Sequence, residues 1–515
     1  MNFLKKIFQW KASFFEKKGK FRLFFLFLLV FFIAGFLRVY KLGQQSFIAD
    51  EYLGINASYG YLQTNQWKFW DFNQAKLTDE EYTRANVYYW QVAKVLGFFG
   101  VSESIARMVS VLWGMIGLIT LFLVVFYFTK KRTLAFLAAF FLAVSISALT
   151  FDRKLRMYSM FSPLFFLFSI SVFQFFESEV KFGKNFKIVA FLKEKFGVNV
   201  VYLPALLFFG YLAFQTHLLV VNILPVGLGY ILMMALWQYF KNKKIDRYFY
   251  FLVAGGVLSL ILLQNVQIKA ALDFFSLVFH TSYFSKITLD YSHFILAFSL
   301  IGLGGYYLIK KNGKFGLWVV INFLTILFLA VFFWGRNAGH QYIYFITPFK
   351  IILMATGVYY VSQIFAQKFL PQKKWSFWLS VGYLLLVVPN WYFFFSSESF
   401  YLDSKKWSYP NYREAFKYYL KNRNDNSILV MRPMMKYYIK DSKSELLEYS
   451  DSNKLTLKAI KEAQSAYDEV WIIFTKDLFI SGEVEKYLNK NFESIKTQYT
   501  NNVVNILVWK KAVGQ

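Results

Sequence analysis

The chain has 515 residues, of which 57% are hydrophobic, and its mean hydropathy is +0.38. That is too apolar for an ordinary soluble globule. The net charge of +28 is carried by short Lys/Arg clusters between apolar runs, which argues for positive-inside loops and against nucleic-acid binding. The absence of Cys excludes disulfides, zinc–cysteine sites and thiol nucleophiles.

The N-terminal stretch is basic (Lys5, Lys6, Lys11, Lys17, Lys18, Lys20) and leads into the apolar run Leu23 to Leu37. No small-residue cleavage site follows, so this run reads as a retained first helix. A spanning helix needs ~20 mostly apolar residues. Such stretches fall near 21–40, 105–128, 133–151, 158–176, 199–216, 218–239, 249–267, 293–309, 316–334, 342–366 and 375–395. The expected fold class is therefore an α-helical polytopic membrane protein with about eleven transmembrane helices. Every even-numbered span is followed by cations: Lys130, Lys131 and Arg132; Lys181, Lys184, Lys187, Lys193 and Lys195; Lys241, Lys243, Lys244 and Arg247; Lys310, Lys311 and Lys314; Lys368, Lys373 and Lys374. This pattern places the N-terminus and those loops in the cytoplasm, and the odd-numbered loops on the outer face of an inner (plasma) membrane.

The first outer loop, 41–104, is long, mixed in charge and rich in Trp and Tyr. It is expected to form amphipathic segments on the membrane surface. From 396 the composition turns polar. Ile428–Arg432, Val470–Thr475 and Val503–Trp509 read as strands, and Lys454–Tyr467 and Gly482–Lys490 as helices. The expected division is a membrane domain over 1–395 and a small extracytoplasmic α/β domain over 396–515.

Ionisable residues at a membrane are functional candidates. Asp50 and Glu51 follow the first span. The short loop Thr150–Met157 holds Asp152, Arg153, Lys154 and Arg156, with Tyr158 beside it. His217 ends the fifth span, and Arg336, Asn337 and His340 follow the ninth. Cations on the outer face oppose the orientation rule, and an anionic ligand such as a phosphate would compensate for them; the Arg fork suits phosphate oxygens. Structural readings stand beside these. Arg153 and Arg156 could meet lipid phosphates, Asp50 could be a helix-terminal carboxylate, and His217 a satisfied interfacial histidine. No His/Asp/Glu cluster has metal-ligand spacing and there is no Walker-type loop. No cofactor is expected, and the metal requirement stays open.

Several segments carry a resemblance. Leu37-Arg38-Val39-Tyr40-Lys41-Leu42-Gly43 followed by Phe47-Ile48-Ala49-Asp50-Glu51, the stretch Gly100-Val101-Ser102-Glu103-Ser104-Ile105-Ala106-Arg107-Met108-Val109-Ser110, the stretch Phe151-Asp152-Arg153-Lys154-Leu155-Arg156-Met157-Tyr158, and Arg336 through Pro348 occur in that order. Together they resemble the GT-C glycosyltransferases, in the branch of protein O-mannosyltransferases and lipid A aminoarabinose transferases. The stretch Thr83 to Trp90 departs from that pattern: it lacks the Pro-Pro of many relatives, with Arg84 in the basic slot. The resemblance implies an inverting transferase. It would move a sugar from a polyprenyl-phosphate donor to an acceptor hydroxyl on the extracytoplasmic face. It further implies Asp50 as general base and Glu51 as its orienting partner. Arg84, Arg153, Arg156, Tyr158, Arg336 and His340 would meet the donor phosphate, with His217 and Asp152 as further candidates. Implied partners are the lipid-linked donor, membrane lipid and a glycan, lipid or protein acceptor. An O-antigen polymerase or ligase, which would use a pyrophosphate donor, and a lipid or sugar transporter are the rival readings.

Overall fold

The computed structural model describes residues 18–179, 186–243, 245–262, 264, 276–335, 338–369, 375–402, 409–440, 442–450, 453–475, 480–495 and 504–511. Arg336 and Asn337 lie outside the described residues, as do Lys5, Lys6, Lys11, Lys17, Lys181, Lys184, Lys244, Lys373 and Lys374. The chain forms two compact units. One comprises Met1–Val39, Ser110–Arg153 and Met157–Asn390, and the other Tyr40–Val109, Lys154–Arg156 and Trp391–Gln515.

The first unit is helical. Among the described residues, five helices of the chain are long and apolar enough to cross a membrane, or seven if two bent pairs each count as one span. The expected span 133–151 is one such pair: Arg132–Val144 and Ile146–Asp152 meet at 58°. Ser145 sits at the break, and its Oγ accepts from the Ala148 N–H at 3.1 Å, so the second piece starts with its own cap. The expected spans 293–309 and 316–334 occur as one helical element, Phe294–Phe332, which folds back on itself at Gly313. Gly313 has φ 50° and ψ −118°, a backbone state that suits glycine. Beyond it, Gly305 lies against Val320 and Gly316 against the backbone of Leu308, contacts possible only if the two arms run antiparallel.

The first arm packs against Thr347–Phe369 so closely that a Cβ at Gly304 would strike the Leu353 carbonyl, and one at Gly357 the Leu300 carbonyl. Small residues at such crossings let backbones approach, which is how helices gain packing energy where lipid gives no hydrophobic drive.

Three expectations change. The stretch 187–195, read as a polar loop, contains a helix, Lys187–Phe196, set at 112° to Val200–Thr216. The span 249–267 appears as Arg247–Leu262, and of 263–267 only Gln264 is described. The span 375–395 contains a helix of 12 residues, Ser376–Val387, followed by Pro389 and a 3-10 turn at Trp391–Phe395. At ~1.5 Å per residue that helix is shorter than a hydrocarbon core of ~30 Å; the proline, which has no N–H to donate, follows its end.

The second unit combines 40–109 with the C-terminal region. The loop 41–104 folds into helix Ala49–Thr64, the hairpin of β1 (Lys68–Asp71) and β2 (Lys76–Glu81), and helix Asn86–Phe99. Tyr52, Ile55 and Ala57 of the first helix and Tyr88, Tyr89 and Val92 of the second are fully buried, so tertiary packing replaces an interfacial face.

The C-terminal sheet comprises β3 (Ser427–Met431), β4 (Glu445–Glu448), β5 (Glu469–Thr475), β6 (Glu493–Ser494) and β7 (Val504–Lys510), in the order β4-β3-β5-β7-β6. β4, β3 and β5 are parallel; β7 is antiparallel to β5 and to β6. Ile428, Val430, Val470 and Ile472 pack on Ile460 and Leu488 from helices Leu457–Ala466 and Gly482–Asn491. On the other face Trp471 meets Tyr419 of helix Tyr412–Asn422, with ring centroids 5.7 Å apart. Both faces are covered, which explains the uninterrupted apolar run of β3.

Candidate active site

Two sets of candidate residues occur, one in each unit. In the second unit the chain enters helix Ala49–Thr64 through Leu42–Ile48. Asp50 and Glu51 occupy the first helical turn, where acidic groups favour the positive end of the helix. Glu51 is 1% exposed and Arg107 3%. Arg107 donates from Nε to Glu51 Oε1 at 2.8 Å and from Nη2 to Oε2 at 2.7 Å, a two-pronged pair. Its Nη1 reaches the Leu42 and Gln45 carbonyls at 2.9 and 2.8 Å, and Nη2 the Ser46 carbonyl at 3.1 Å. Glu51 Oε1 also accepts the Leu155 N–H at 2.7 Å, and Oε2 the Ile48 N–H at 3.2 Å. Burial alone would raise the Glu51 pKa; the Arg107 charge and hydrogen bonds, with the Leu155 N–H, outweigh it and hold the carboxyl below its ordinary range.

Glu51 is thus fully engaged. Its place suits orientation of its neighbours and not proton abstraction. It ties the start of its helix to the turn 154–156, as its capping reach to Ile48 ties the entering chain.

Asp50 is its exposed neighbour. The Asp50 side chain is 58% exposed and meets Arg156 Nη2 at 3.2 Å, while Arg156 Nη1 reaches the Asp50 carbonyl at 3.3 Å. Tyr82 is buried against Tyr89, ring centroids 5.3 Å apart. Burial raises the Tyr82 pKa, and Arg156, Arg84 and Asp50 all act on that hydroxyl through space. Arg84 itself is exposed. Lys154 is half-buried, with Nζ 5.9 Å from the Tyr409 ring centroid; burial pushes its pKa down, opposed by Glu51 and Asp50. The second unit therefore presents Asp50 as a solvent-facing carboxylate paired with Arg156, next in the chain to the buried Glu51.

In the first unit the remaining candidates have structural partners. Asp152 is 1% exposed and pairs with Arg38 Nε at 2.8 Å; Tyr344 donates to its other oxygen at 3.1 Å. Arg38 also donates to the carbonyls of Ala34, Leu142 and Ala143. Arg153 Nη1 donates to the Leu37 and Arg38 carbonyls, both at 2.9 Å, and so caps the end of helix Lys18–Val39. Tyr158 is buried between Phe151 and His217, and the His217 Nδ1 accepts the Leu219 N–H at 3.0 Å, capping a 3-10 turn. His340 stacks edge-on to Phe151 at 5.2 Å.

Among the pairs that sequence reasoning missed there, Lys350 Nζ meets Asp290 Oδ2 at 2.5 Å, both residues at most 3% exposed. Asp290 Oδ1 accepts the Ser147 N–H at 2.8 Å, at the start of Ile146–Asp152, so that short helix is pinned by ion pairs at both ends. The signal available was a lysine inside an apolar span. Among the described residues no group of three or more His, Asp or Glu could hold a metal ion.

No family model matches the sequence, and no curated protein matches it. Solved structures do. ArnT from Cupriavidus metallidurans in the apo state aligns over 93% of this chain and 97% of its own, with 10% identity and a TM-score of 0.54. The same enzyme bound to undecaprenyl phosphate aligns over 94% and 97%, with 11% identity and a TM-score of 0.53. The archaeal oligosaccharyltransferase AglB from Archaeoglobus fulgidus, in complex with an inhibitory peptide and a dolichol-phosphate, aligns over 93% and 73%, with 9% identity and a TM-score of 0.54. At these identities the likeness is one of fold: this chain shares the fold of ArnT and AglB.

Proposed function

We propose that this protein is an inverting glycosyltransferase that moves a sugar from a polyprenyl-phosphate donor to an acceptor hydroxyl on the extracytoplasmic face, with Asp50 as general base. The observation that carries the reading is the exposed Asp50 carboxylate beside Arg156, on a fold shared along nearly its whole length with a protein crystallised with undecaprenyl phosphate. The alternating Lys/Arg loops support eleven spans with the Asp50 loop and the C-terminal domain outside an inner membrane.

In this reaction the acceptor oxygen attacks the anomeric carbon, forming one C–O bond as the C–O bond to phosphate breaks. The acceptor proton passes to Asp50 Oδ, and the bonding electrons leave on the lipid phosphate. Such general-base help is typically worth ~10²–10⁴-fold. Charge grows on the leaving phosphate, and Arg84 and Arg156 supply fixed positive partners for it.

The test is transfer from a synthetic polyprenyl-phosphate sugar. Asp50→Asn should lower turnover by ~10²–10⁴, and Arg156→Ala by ~10²–10³. Near-wild-type turnover in Asp50→Asn, Arg84→Ala and Arg156→Ala together would refute the assignment.

A further inference from the structure

We infer that Tyr438 and Arg413 of the C-terminal region are positioning residues for the segment that ends in Asp50; this rests on Asp50 being the base. The segment Leu42–Ile48 has no helix or strand hydrogen bonds of its own before the helix begins at Ala49. Its backbone groups are satisfied instead by side chains from two directions. Arg107 takes the carbonyls of Leu42, Gln45 and Ser46.

The C-terminal region takes others. Tyr438 Oη accepts the Phe47 N–H at 2.6 Å and donates to Glu103 Oε1 at 3.0 Å. Arg413 donates to the Gly43 carbonyl at 2.7 Å and pairs with Glu103 at 2.7 Å. Ser46 Oγ donates to the Pro410 carbonyl at 2.9 Å and accepts the Tyr412 N–H at 3.1 Å.

Phe47 itself is fully buried, with its ring 5.0 Å from that of Tyr437 and 5.3 Å from the Arg107 guanidinium. Asp50 lies three residues on, and its exposed carboxylate pairs with Arg156 at 3.2 Å. The direction of its carboxylate is thus set by where the helix starts. That start is set by the Phe47 N–H and the carbonyls before it. A side chain bonded to a backbone N–H and to a buried-side carboxylate at once can hold such a start to a fraction of an ångström. A misplacement of ~1 Å at a reacting group can cost ~10²-fold in rate. The C-terminal fold thereby acts on the chemistry through the backbone, without needing to touch either substrate.

Tyr438→Phe removes both hydrogen bonds and keeps the ring that packs on Tyr52 and Phe416. In the full-length protein it should lower kcat by ~10–10²-fold with KM for the donor within about twofold, because ground-state binding is not its task. Made in an Asp50→Asn background, it should change the residual rate by less than about twofold, because a residue that acts through Asp50 has nothing left to position. Amide exchange over 46–52 should quicken in Tyr438→Phe, a readout that needs no residual activity. Arg413→Gln should behave alike, and Arg413→Lys should restore part of the loss. An equal loss in the Asp50→Asn background, or wild-type kcat and unchanged exchange in Tyr438→Phe, overturns the inference while leaving Asp50 as base. Wild-type turnover by Asp50→Asn alone removes the base and the inference with it.

Discussion

Replacing Arg107 by Met probes the buried pair beneath the site. The side chain makes five hydrogen bonds, two to Glu51 and three to carbonyls. Summed at ~1.5–3 kcal/mol each for charged groups, they would rival the ~5–15 kcal/mol stability of a whole domain. Such bonds are not additive, because water is lost once and not five times. The better measure is the ~3–5 kcal/mol cost of removing one partner of a buried pair. We expect Arg107→Met to lose that much in denaturant unfolding in mild detergent, followed by tryptophan fluorescence. The pH dependence has a definite sign. The folded-state pKa of Glu51 lies below its unfolded value, so its contribution is full above ~4.3 and disappears as pH falls through the folded value. In Arg107→Met, burial loses its main opponent and the Glu51 pKa rises, so the variant is penalised most near pH 7 and less near pH 4. Adding Glu51→Gln should restore part of the loss, since it removes the stranded charge. A penalty under ~1 kcal/mol, flat between pH 4 and 7 and additive with Glu51→Gln, would refute the reasoning.

Lys350→Met should destabilise the first unit by ~3–5 kcal/mol at neutral pH, since it strands Asp290. Burial alone would raise the Asp290 pKa, but Lys350, followed by the Ser147 N–H, holds it low. The stabilisation therefore weakens as pH falls below the ordinary carboxylate range, and acid unfolding curves of wild type and variant should converge. Gly114→Ala would place a Cβ on the Asp152 carboxylate and disturb its pair with Arg38, with an expected cost of ~1–3 kcal/mol. Gly117→Ala on the same helix meets its nearest neighbour, Pro163, at 3.7 Å and should be neutral or stabilising by up to ~1 kcal/mol in the same unfolding assay. Asp50→Asn should change stability by only ~0–1 kcal/mol, since its pair with Arg156 is exposed, so a lost rate in that variant reports chemistry and not folding.

The elements most legible in the sequence were those set by a simple period. β3, β5 and β7 fall within one residue of expectation at each end, as runs of branched and aromatic residues bounded by polar ones. The helical hairpin was legible because two apolar runs flank a cationic, glycine-containing turn. Less legible were the β1–β2 hairpin, whose second strand carries Asp79, Glu80 and Glu81, and the 12-residue helix that ends before Pro389. In those places charge or a single proline overrode the hydropathy signal.

At the site, residue type gave the presence of an acidic pair and of cations close by, since charge at a membrane is costly enough to stand out in any hydropathy reading. Their division of labour was decided in three dimensions. Asp50 and Glu51 are adjacent in sequence and alike in chemistry. One faces solvent beside Arg156, and the other is buried against Arg107, because successive residues on a helix point about 100° apart. Arg153 and Arg156 are separated likewise, one capping a helix and the other holding a carboxylate. Local pattern determined which groups the chain carries and which runs are apolar. Which carbonyl, carboxylate or water each cation meets depends on residues up to hundreds of positions away, and only packing brings those together.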